Sequence, residues 1–121
     1  MNMTTATRRV GSVTIVDING RLVLEECASL RDLLNKLLAA GHNKILLNLA
    51  CTSRVDTAGL AHLISGLVSA RKQRGELKLL NPEKSVREVI RFTKLDTVFE
   101  IIDDEEAAVS SFSLNSAAAR V

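Results

Sequence analysis

The feature that most constrains the fold is the alternation, along the chain, of two kinds of segment that differ in the spacing of their apolar residues. Short runs rich in branched aliphatic residues, typical of strands, lie at Val13–Ile18, Lys44–Leu49 and Glu76–Leu80. Between them lie longer segments in which leucine recurs every three or four residues, the spacing of an amphipathic helix. Because a helix between two strands of one sheet makes a right-handed crossover, this order predicts a largely parallel sheet covered by helices.

Two amphipathic helices follow from the spacing of the leucines. The first is predicted to end at Gly41 and the second, over Thr57–Arg74, at Gly75, because glycine readily adopts the left-handed conformation that closes a helix. The apolar stripe of the first helix consists of Leu30, Leu33, Leu34, Leu37 and Leu38. That of the second helix consists of Leu60, Leu63, Ile64, Leu67 and Val68. We expect both stripes to face the core.

The N-terminal part of the chain predicts a β-hairpin. Gly11–Ser12 marks a turn, which makes Thr4–Arg9 an antiparallel partner of Val13–Ile18. Asn19–Gly20 predicts either a second tight turn or a continuation of the sheet edge. Ala50–Val55 is predicted to be a loop that leads into the second helix.

The C-terminal part predicts two short helices around a last strand. Ser85 and Glu88 match a capping box, in which each side chain satisfies a free backbone N–H at a helix start. Val98–Ile102 has the apolar composition of a strand. The final helix is expected to begin at Asp103, where acidic residues suit the positive end of the helix dipole, and to end at Phe112.

These elements predict a single α/β domain over residues 1–112, with a mixed, mostly parallel sheet, an N-terminal β-hairpin and about four helices. Residues 113–121 are rich in alanine and serine and are predicted to form a disordered tail.

Composition and charge exclude several classes of protein. The formal net charge is only +2, and the chain has no Trp or Tyr and three Phe, so we expect no nucleic-acid partner. No apolar run approaches the roughly 20 residues of a membrane span, which predicts no direct membrane insertion. Cys27 and Cys51 form no CxxC pattern and the chain start does not resemble a signal peptide, so we expect free thiols and a cytoplasmic location.

The sequence also lacks the patterns that carry enzyme chemistry. It contains neither a P-loop nor a GxGxxG segment, and no histidine lies near Ser110, Ser111 or Ser113 in sequence to activate them as nucleophiles. His42 is placed in a loop, and His62 is expected to face solvent. The acidic run Asp103–Glu106 suits a helix start better than a metal site. We therefore predict a non-enzymatic protein with no catalytic residue, no metal site and no cofactor.

The start of the second helix is the segment that most suggests a site. Asp56 is placed to cap the helix by accepting a hydrogen bond from a backbone N–H of the first turn. Gly59 lacks a side chain, so another group can approach this helix end closely. A phosphate on Thr57 would be stabilised by the helix dipole and repelled by Asp56, opposing effects that suit a tunable switch. The alternative is a plain capped helix.

Several short motifs bear on this segment. Val-Asp-Thr-Ala-Gly-Leu, ending at Leu60, resembles the Asp-Ser-Ser-Gly-Leu signature of the STAS domain, named for sulphate transporters and anti-sigma-factor antagonists. Further matches to the family lie at Asn19–Leu22, Ile45–Leu49, Arg74–Leu79, Lys94–Ile101 and Asp104–Ala107. They run in order from about Thr4 to Phe112, so the chain resembles the anti-sigma-factor antagonists of this family.

The resemblance implies a partner switch without enzymatic activity. Such an antagonist binds an anti-sigma factor that is also a serine kinase, and phosphorylation at the signature blocks the binding. The usual acceptor is the second hydroxyl residue of the signature, which is Ala58 here. Thr57 matches the first position and is the phosphorylation candidate. Two hypotheses stay open: either Thr57 is phosphorylated, or the domain binds its partner constitutively.

The resemblance also implies a partner-binding surface, with Leu22, Ala58 and Leu60 expected in its apolar core. The predicted partner-binding residues are Arg21, Leu22, Asp56, Thr57, Ala58, Gly59 and Leu60. Val23 replaces an acidic residue that the family often has, so this part of the surface departs from the pattern. The alternatives are a STAS subunit of a lipid or anion transport system, or a nucleotide- or anion-sensing module. The sequence leaves a homodimer open.

Overall fold

The computed structural model describes the backbone of residues 3–119 and the side chains of residues 3–112. These described residues form six strands and four α-helices, with a 3₁₀ turn at Leu95–Thr97. In chain order they are β1 (Thr4–Val10), β2 (Val13–Leu22), α1 (Ala28–Ala39), β3 (Lys44–Asn48), β4 (Thr52–Val55), α2 (Thr57–Lys72), β5 (Glu76–Leu80), α3 (Lys84–Phe92), β6 (Ile101–Ile102) and α4 (Glu105–Ala119).

The strands form one sheet in the order β1-β2-β3-β5-β6, with β4 paired to the end of β2. The hairpin pair β1–β2 is antiparallel, and Thr4 lies opposite Asn19. The pairs β2–β3, β2–β4, β3–β5 and β5–β6 are all parallel. The predicted α/β fold, with a mixed, mostly parallel sheet, an N-terminal hairpin and four helices, is confirmed.

The two faces of the sheet carry different layers because successive strand residues point to opposite sides. On one face, Val16 and Leu47 pack in a large core with leucines of α1 and α2 and with Val86 of α3. On the other face, Leu46 packs in a smaller core with Phe112 of α4. The start of α2 therefore belongs to the larger, three-helix layer.

Strand β4 occupies the segment predicted to be the loop Ala50–Val55, so that prediction is wrong. Thr52 is fully buried, and its Oγ1 donates a hydrogen bond to the carbonyl oxygen of Ile18 at 2.9 Å. Strand β2 also continues through Asn19–Gly20, which settles the alternative between a tight turn and a longer sheet edge. Its register with β4 shifts between Gly20 and Arg21.

Two predictions near the C-terminal half are wrong in detail. Helix α3 begins at Lys84 with Glu83 at its N-cap, and Ser85 Oγ bonds the carbonyl oxygen of Ser53 at 3.1 Å, so there is no capping box with Glu88. Strand β6 contains two residues, fewer than the predicted Val98–Ile102. The chain before it is instead shaped by the 3₁₀ turn, which helps to bury Phe99.

The buried side of α2 differs from the predicted stripe at two positions. Ile64 and Val68 are 36% and 47% exposed. The buried residues are Gly59, Leu60, Leu63, Gly66, Leu67 and Ala70. A Cβ at Gly66 would lie 2.9 Å from Leu34 Cδ1 and 3.0 Å from Leu77 Cδ1. Small residues thus let α2 approach α1 and β5 closely, which rotates Ile64 and Val68 outward.

Helix α4 continues past the predicted end at Phe112 to Ala119. Residues 120 and 121 of the predicted disordered tail lie outside the described residues, and the domain limit at residue 112 stays a prediction. Over the part of the chain that the structure describes, no helix combines the length and the apolar character needed to cross a membrane.

Candidate functional site

The start of α2 is organised by the carboxylate of Asp56. This residue is extended at φ −113° and ψ −174°, and it occupies the N-cap that the sequence predicts. Its Oδ1 accepts a hydrogen bond from the N–H of Gly59 at 2.9 Å, and its Oδ2 accepts one from the N–H of Leu24 at 3.0 Å. One side chain therefore fastens the turn after β2 to the first turn of α2.

The same contacts determine the charge of Asp56. The backbone N–H groups of Gly59 and Leu24 lower the pKa of its carboxyl below the usual value, while partial burial opposes them weakly. Asp56 therefore stays ionised at neutral pH, with a hydrogen bond on each oxygen.

Gly59 has a packing role. It is buried, and a Cβ at this position would overlap the carbonyl oxygen of Leu22 and lie 2.9 Å from Val55 Cγ2. The group that approaches this helix end closely is thus the backbone of β2. The absence of a side chain at Gly59 thus permits the close approach that the sequence predicts, and in this structure the approaching group is the Leu22 carbonyl.

The structure brings the seven predicted partner-binding residues together where β2, β4 and α2 meet. Leu22 and Leu60, however, are 0% and 6% exposed. Their side chains belong to the main core, so the expected apolar interface core built on them is wrong. Thr57 is exposed and Ala58 is half-buried. The residues accessible to a partner are therefore the polar and small ones at the helix start.

Arg21 lies beside this helix start and forms an ion pair. Its guanidinium contacts Glu26 Oε2 through Nε at 3.0 Å and through Nη2 at 2.9 Å. The Glu26 side chain is only 6% exposed, against 50% for Arg21. The other carboxylate oxygen of Glu26, Oε1, is buried and has no hydrogen-bond partner among the described residues. The buried carboxylate of Glu26 thus holds the Arg21 side chain in place.

Arg54 is the residue of this region that the sequence analysis missed. It lies on β4 directly beside Arg21 of β2 in the parallel register. The two arginines line a cleft of about 380 Å³ together with Val23, Glu25 and Asp56. No local pattern in residues 50–55 predicts this position, since it depends on the pairing of β4 with a distant strand. We call these exposed and half-buried residues, Arg21, Arg54, Asp56, Thr57 and Ala58, the helix-start face.

A second polar cluster is centred on Arg8 of β1. Arg8 donates to Asp17 Oδ2 at 2.8 Å and to Glu105 Oε1 at 2.6 Å, and Asn48 Nδ2 donates to Asp17 Oδ1 at 2.7 Å. The hydrogen bonds from Arg8 lower the pKa of both carboxyls. This cluster ties the hairpin β1–β2 to α4.

The two histidines and two cysteines occupy different surroundings, and Cys51 lines a cleft with Asp17 and Asn48. His42 Nδ1 is 2.7 Å from Arg9 Nη1. His62 is half-buried, although the sequence suggested a solvent-facing side chain. Both thiols are free, and burial raises the pKa of Cys27. Within the described residues no three His, Cys, Asp or Glu side chains group together as metal ligands.

Comparison with known proteins gives matches in sequence and in fold. A sequence model of the STAS domain matches residues 4–108. A candidate anti-sigma factor antagonist of Thermotoga neapolitana is 32% identical over 69 residues, which are 57% of this chain and 61% of that protein. The chain thus aligns with less than two thirds of the length of this relative.

Two solved structures resemble the whole fold. The crystal structure of a candidate anti-sigma factor antagonist from Thermotoga maritima has a TM-score of 0.85 at 25% identity, covering 90% of this chain and 94% of that one. The Bacillus cell fate determinant SpoIIAA in its phosphorylated form has a TM-score of 0.71 at 20% identity, covering 89% of this chain and 98% of that one. At 20% identity the second likeness concerns the fold alone.

The sequence match runs from the first strand into α4 and includes the capped start of α2. The sheet order and the four helices agree with the solved STAS structures. Sequence and fold thus lead to the same conclusion: this chain is a member of the STAS domain family.

Proposed function

We propose that this chain is an anti-sigma-factor antagonist that acts by partner switching through its helix-start face. The observation that carries the proposal is the exposed Thr57 at the first position of α2, next to an Asp56 whose two oxygens are both engaged. In the unmodified state the face binds an anti-sigma factor that is also a serine kinase. Phosphorylation of Thr57 then ends the binding. The domain itself acts by binding and performs no chemistry.

The related proteins support the general role. The relative from Thermotoga neapolitana and the similar structure from Thermotoga maritima are both described as candidate anti-sigma factor antagonists. SpoIIAA, which shares the fold, has been solved in a phosphorylated form. These facts concern those proteins, and they make phosphorylation of an exposed hydroxyl at the helix start a reasonable hypothesis for this one.

The proposed modification is a phosphoryl transfer from a nucleoside triphosphate held by the partner kinase. A bond forms between Thr57 Oγ1 and the γ-phosphorus, and the bond from that phosphorus to the bridging oxygen breaks. The nucleoside diphosphate leaves, and the hydroxyl proton passes to a base of the kinase. The product adds a charge of about −1.5 to −2 to a face that carried a neutral hydroxyl.

The position of Asp56 explains why this charge would act as a switch. Its low pKa keeps a negative charge next to Thr57 at any pH near neutral. The carboxylate cannot turn away without giving up the hydrogen bonds from Gly59 and Leu24. A partner that binds the unmodified face would therefore meet two adjacent negative groups after phosphorylation, and like-charge contacts disfavour association.

The test is incubation of the chain with its cognate kinase and ATP, followed by mass spectrometry. We expect one added phosphate on the wild-type chain and none on Thr57→Ala. Thr5→Ala is the matched control, because Thr5 is an exposed threonine of a different strand, β1, and is not part of this face. A phosphate that persists in Thr57→Ala, or no phosphate at all, would leave constitutive binding as the better hypothesis.

The partner itself can be identified by affinity capture from the native cell extract. The proposal expects recovery of a kinase-like ATPase, with less of it on Thr57→Glu than on wild type. Recovery of membrane transport components instead would contradict the proposal and favour the role of a transport subunit.

A further inference from the structure

We propose that Arg54 and Arg21 form a receptor for the phosphoryl group that Thr57 carries after modification. The inference rests on the proposed function, because that function supplies the phosphate on Thr57. The arginines that would bind the phosphate belong to this chain and need no partner protein. The inference assigns a ligand class, a covalently attached phosphate dianion, to the cleft that Arg21 and Arg54 line beside Asp56.

The first observation is the register of the two strands. Arg21 and Arg54 are direct Cα partners across the parallel pair β2–β4. Like charges placed directly opposite each other on neighbouring strands destabilise a sheet unless an anion compensates them. Both side chains are exposed, and both line the same cleft. The sheet thus places two positive charges side by side at the helix start.

The second observation is that only one of these charges is compensated by a side-chain ion pair. Arg21 is paired with the buried Glu26. In the part of the chain that the structure describes, Arg54 makes neither a salt bridge nor a side-chain hydrogen bond. Its five N–H donors are therefore available, and their planar fork matches the geometry of a phosphate.

The acidic side chains around the cleft do not serve as the anion that pairs with Arg54. Asp56 attracts Arg54 through its charge, but its two oxygens already accept the N–H groups of Gly59 and Leu24. Glu25 brings one opposing charge to the cleft. It is exposed, so solvent and salt screen it. A dianion thus remains the better match for two arginines than either carboxylate.

The third observation is reach. Arg54 precedes Thr57 by three residues, so their Cα atoms are at most about 11 Å apart. The extended arginine side chain and the phosphothreonine together span a distance of this order. The cleft of about 380 Å³ is lined by Asp56, the residue directly before Thr57. A phosphate on Thr57 can therefore fold back onto β4.

The receptor would change what phosphorylation does. It would offset the repulsion between the phosphate and Asp56, so the modified state is held in one arrangement. It would also occupy Arg54, a cation of the helix-start face that makes no ion pair with any residue the structure describes. Phosphorylation would then both add negative charge and withdraw a positive contact from the partner.

The experiment measures the second ionisation of the phosphate. Phosphothreonine is installed at position 57 during translation by nonsense suppression, and the chain is titrated while its ³¹P chemical shift is followed at low salt. Nearby arginines favour the dianion and lower the pKa of the phosphate. We expect Arg54→Gln to raise that pKa by about half a pH unit, the size of one exposed charge pair.

Matched variants separate the effect of the planar guanidinium geometry from the effect of the positive charge. Arg54→Lys keeps the charge and loses the planar fork, so the pKa of the phosphate should lie between wild type and Arg54→Gln. Arg21→Gln should also raise it, because Arg21 lines the same cleft. Arg91→Gln, which removes an exposed arginine of α3, should leave it unchanged.

Two results would overturn the inference. One is a phosphate that titrates identically in wild type and Arg54→Gln. The other is saturable binding of inorganic phosphate at micromolar concentrations by the unmodified chain, lost in Arg54→Gln, which would assign the cleft to a free anion. Because no kinase takes part, failure to find a Thr57 kinase would defeat the proposed function and leave this measurement intact.

Discussion

Two carboxylates, Asp56 and Asp17, each organise a polar cluster in this molecule, and they differ in the groups that donate hydrogen bonds to them. Asp56 accepts its hydrogen bonds from backbone N–H groups of Gly59 and Leu24. Asp17 accepts its bonds from the side chains of Arg8 and Asn48. Because Asp56 is bonded by backbone N–H groups, the neighbouring Arg54 makes no ion pair with it. Because Asp17 is bonded by side chains, the neighbouring Arg8 is engaged in an ion pair with it.

This difference separates a candidate site from a structural clamp. Arg8 continues from Asp17 to Glu105 and so closes a three-member ion network between the hairpin and α4. The helix-start face has the opposite character, since Thr57 is exposed and Arg54 makes no ion pair within the part of the chain that the structure describes. A cluster whose arginine is fully engaged holds the fold together, and one whose arginine makes no ion pair among the described residues can bind another molecule.

Substitution of Gly59 should have the largest effect, because the helix-start face exists only where α2 touches β2. In Gly59→Ala the new Cβ overlaps the Leu22 carbonyl, and we expect a loss of about 3 kcal/mol in the free energy of unfolding. Gly11→Ala is the control: it has a positive φ of 61° but no atom within 4 Å of a new Cβ, so about 1 kcal/mol is expected. Urea denaturation measures both. Equal losses would contradict the close contact.

Removal of the Asp56 carboxylate should have the next largest effect. Asp56→Ala loses a capping bond and the bond to Leu24, and we expect a loss of about 2 kcal/mol. Asp104→Ala is matched to it, since Asp104 caps α4 through one bond, to the N–H of Ala107 at 2.9 Å, and should cost about 1 kcal/mol. If the two variants unfold at the same urea concentration, the bond to Leu24 contributes nothing.

The Arg8 network should appear in the dependence of stability on pH. Asp17 and Glu105 have pKa values below their ordinary 3.8 and 4.5, so the stability they add is present above those values and is lost as pH falls through the lower folded values. Arg8→Gln should cost about 1 kcal/mol at pH 7, a modest figure because the Arg8 and Glu105 side chains are 40% and 43% exposed.

Acid titration of the unfolding free energy between pH 6 and pH 2 provides the check. Wild type should lose stability on acidification more steeply than Arg8→Gln, and the two curves should converge at the acid end. Arg91→Gln, which removes an exposed arginine from α3, should follow the wild-type curve. Parallel curves for wild type and Arg8→Gln would show that the network adds no pH-dependent stability.

The smallest effect on stability is expected for substitution of Arg54, and this effect should be smaller than that for substitution of Arg8. Since Arg54 has no ion pair in the described residues, Arg54→Gln should change the free energy of unfolding of the unmodified chain by less than about 0.5 kcal/mol. Thermal unfolding compared with that of Arg8→Gln measures the difference. A loss as large as that of Arg8→Gln would mean that Arg54 is a structural residue.

Much of the fold is visible in local patterns. The strand and helix periods place β2, β3, β5, α1 and α2, and the polar residue ahead of a leucine stripe identifies Asp56 as the N-cap. These features are local because a helix cap and an apolar period involve residues within a few positions of one another. The signature around Thr57 is local in the same way, and the family follows from several such short motifs along the chain.

The features that define the candidate site depend on contacts between distant segments. Strand β4 is four residues long and has no period of its own, so its pairing with β2, and hence the placement of Arg54 beside Arg21, arises only when the sheet assembles. The burial of Leu22 and Leu60 and the exposure of Ile64 depend likewise on how closely α2 can approach its neighbours. A sequence states which residues are apolar or charged, but their neighbours in space decide which charges stay unpaired.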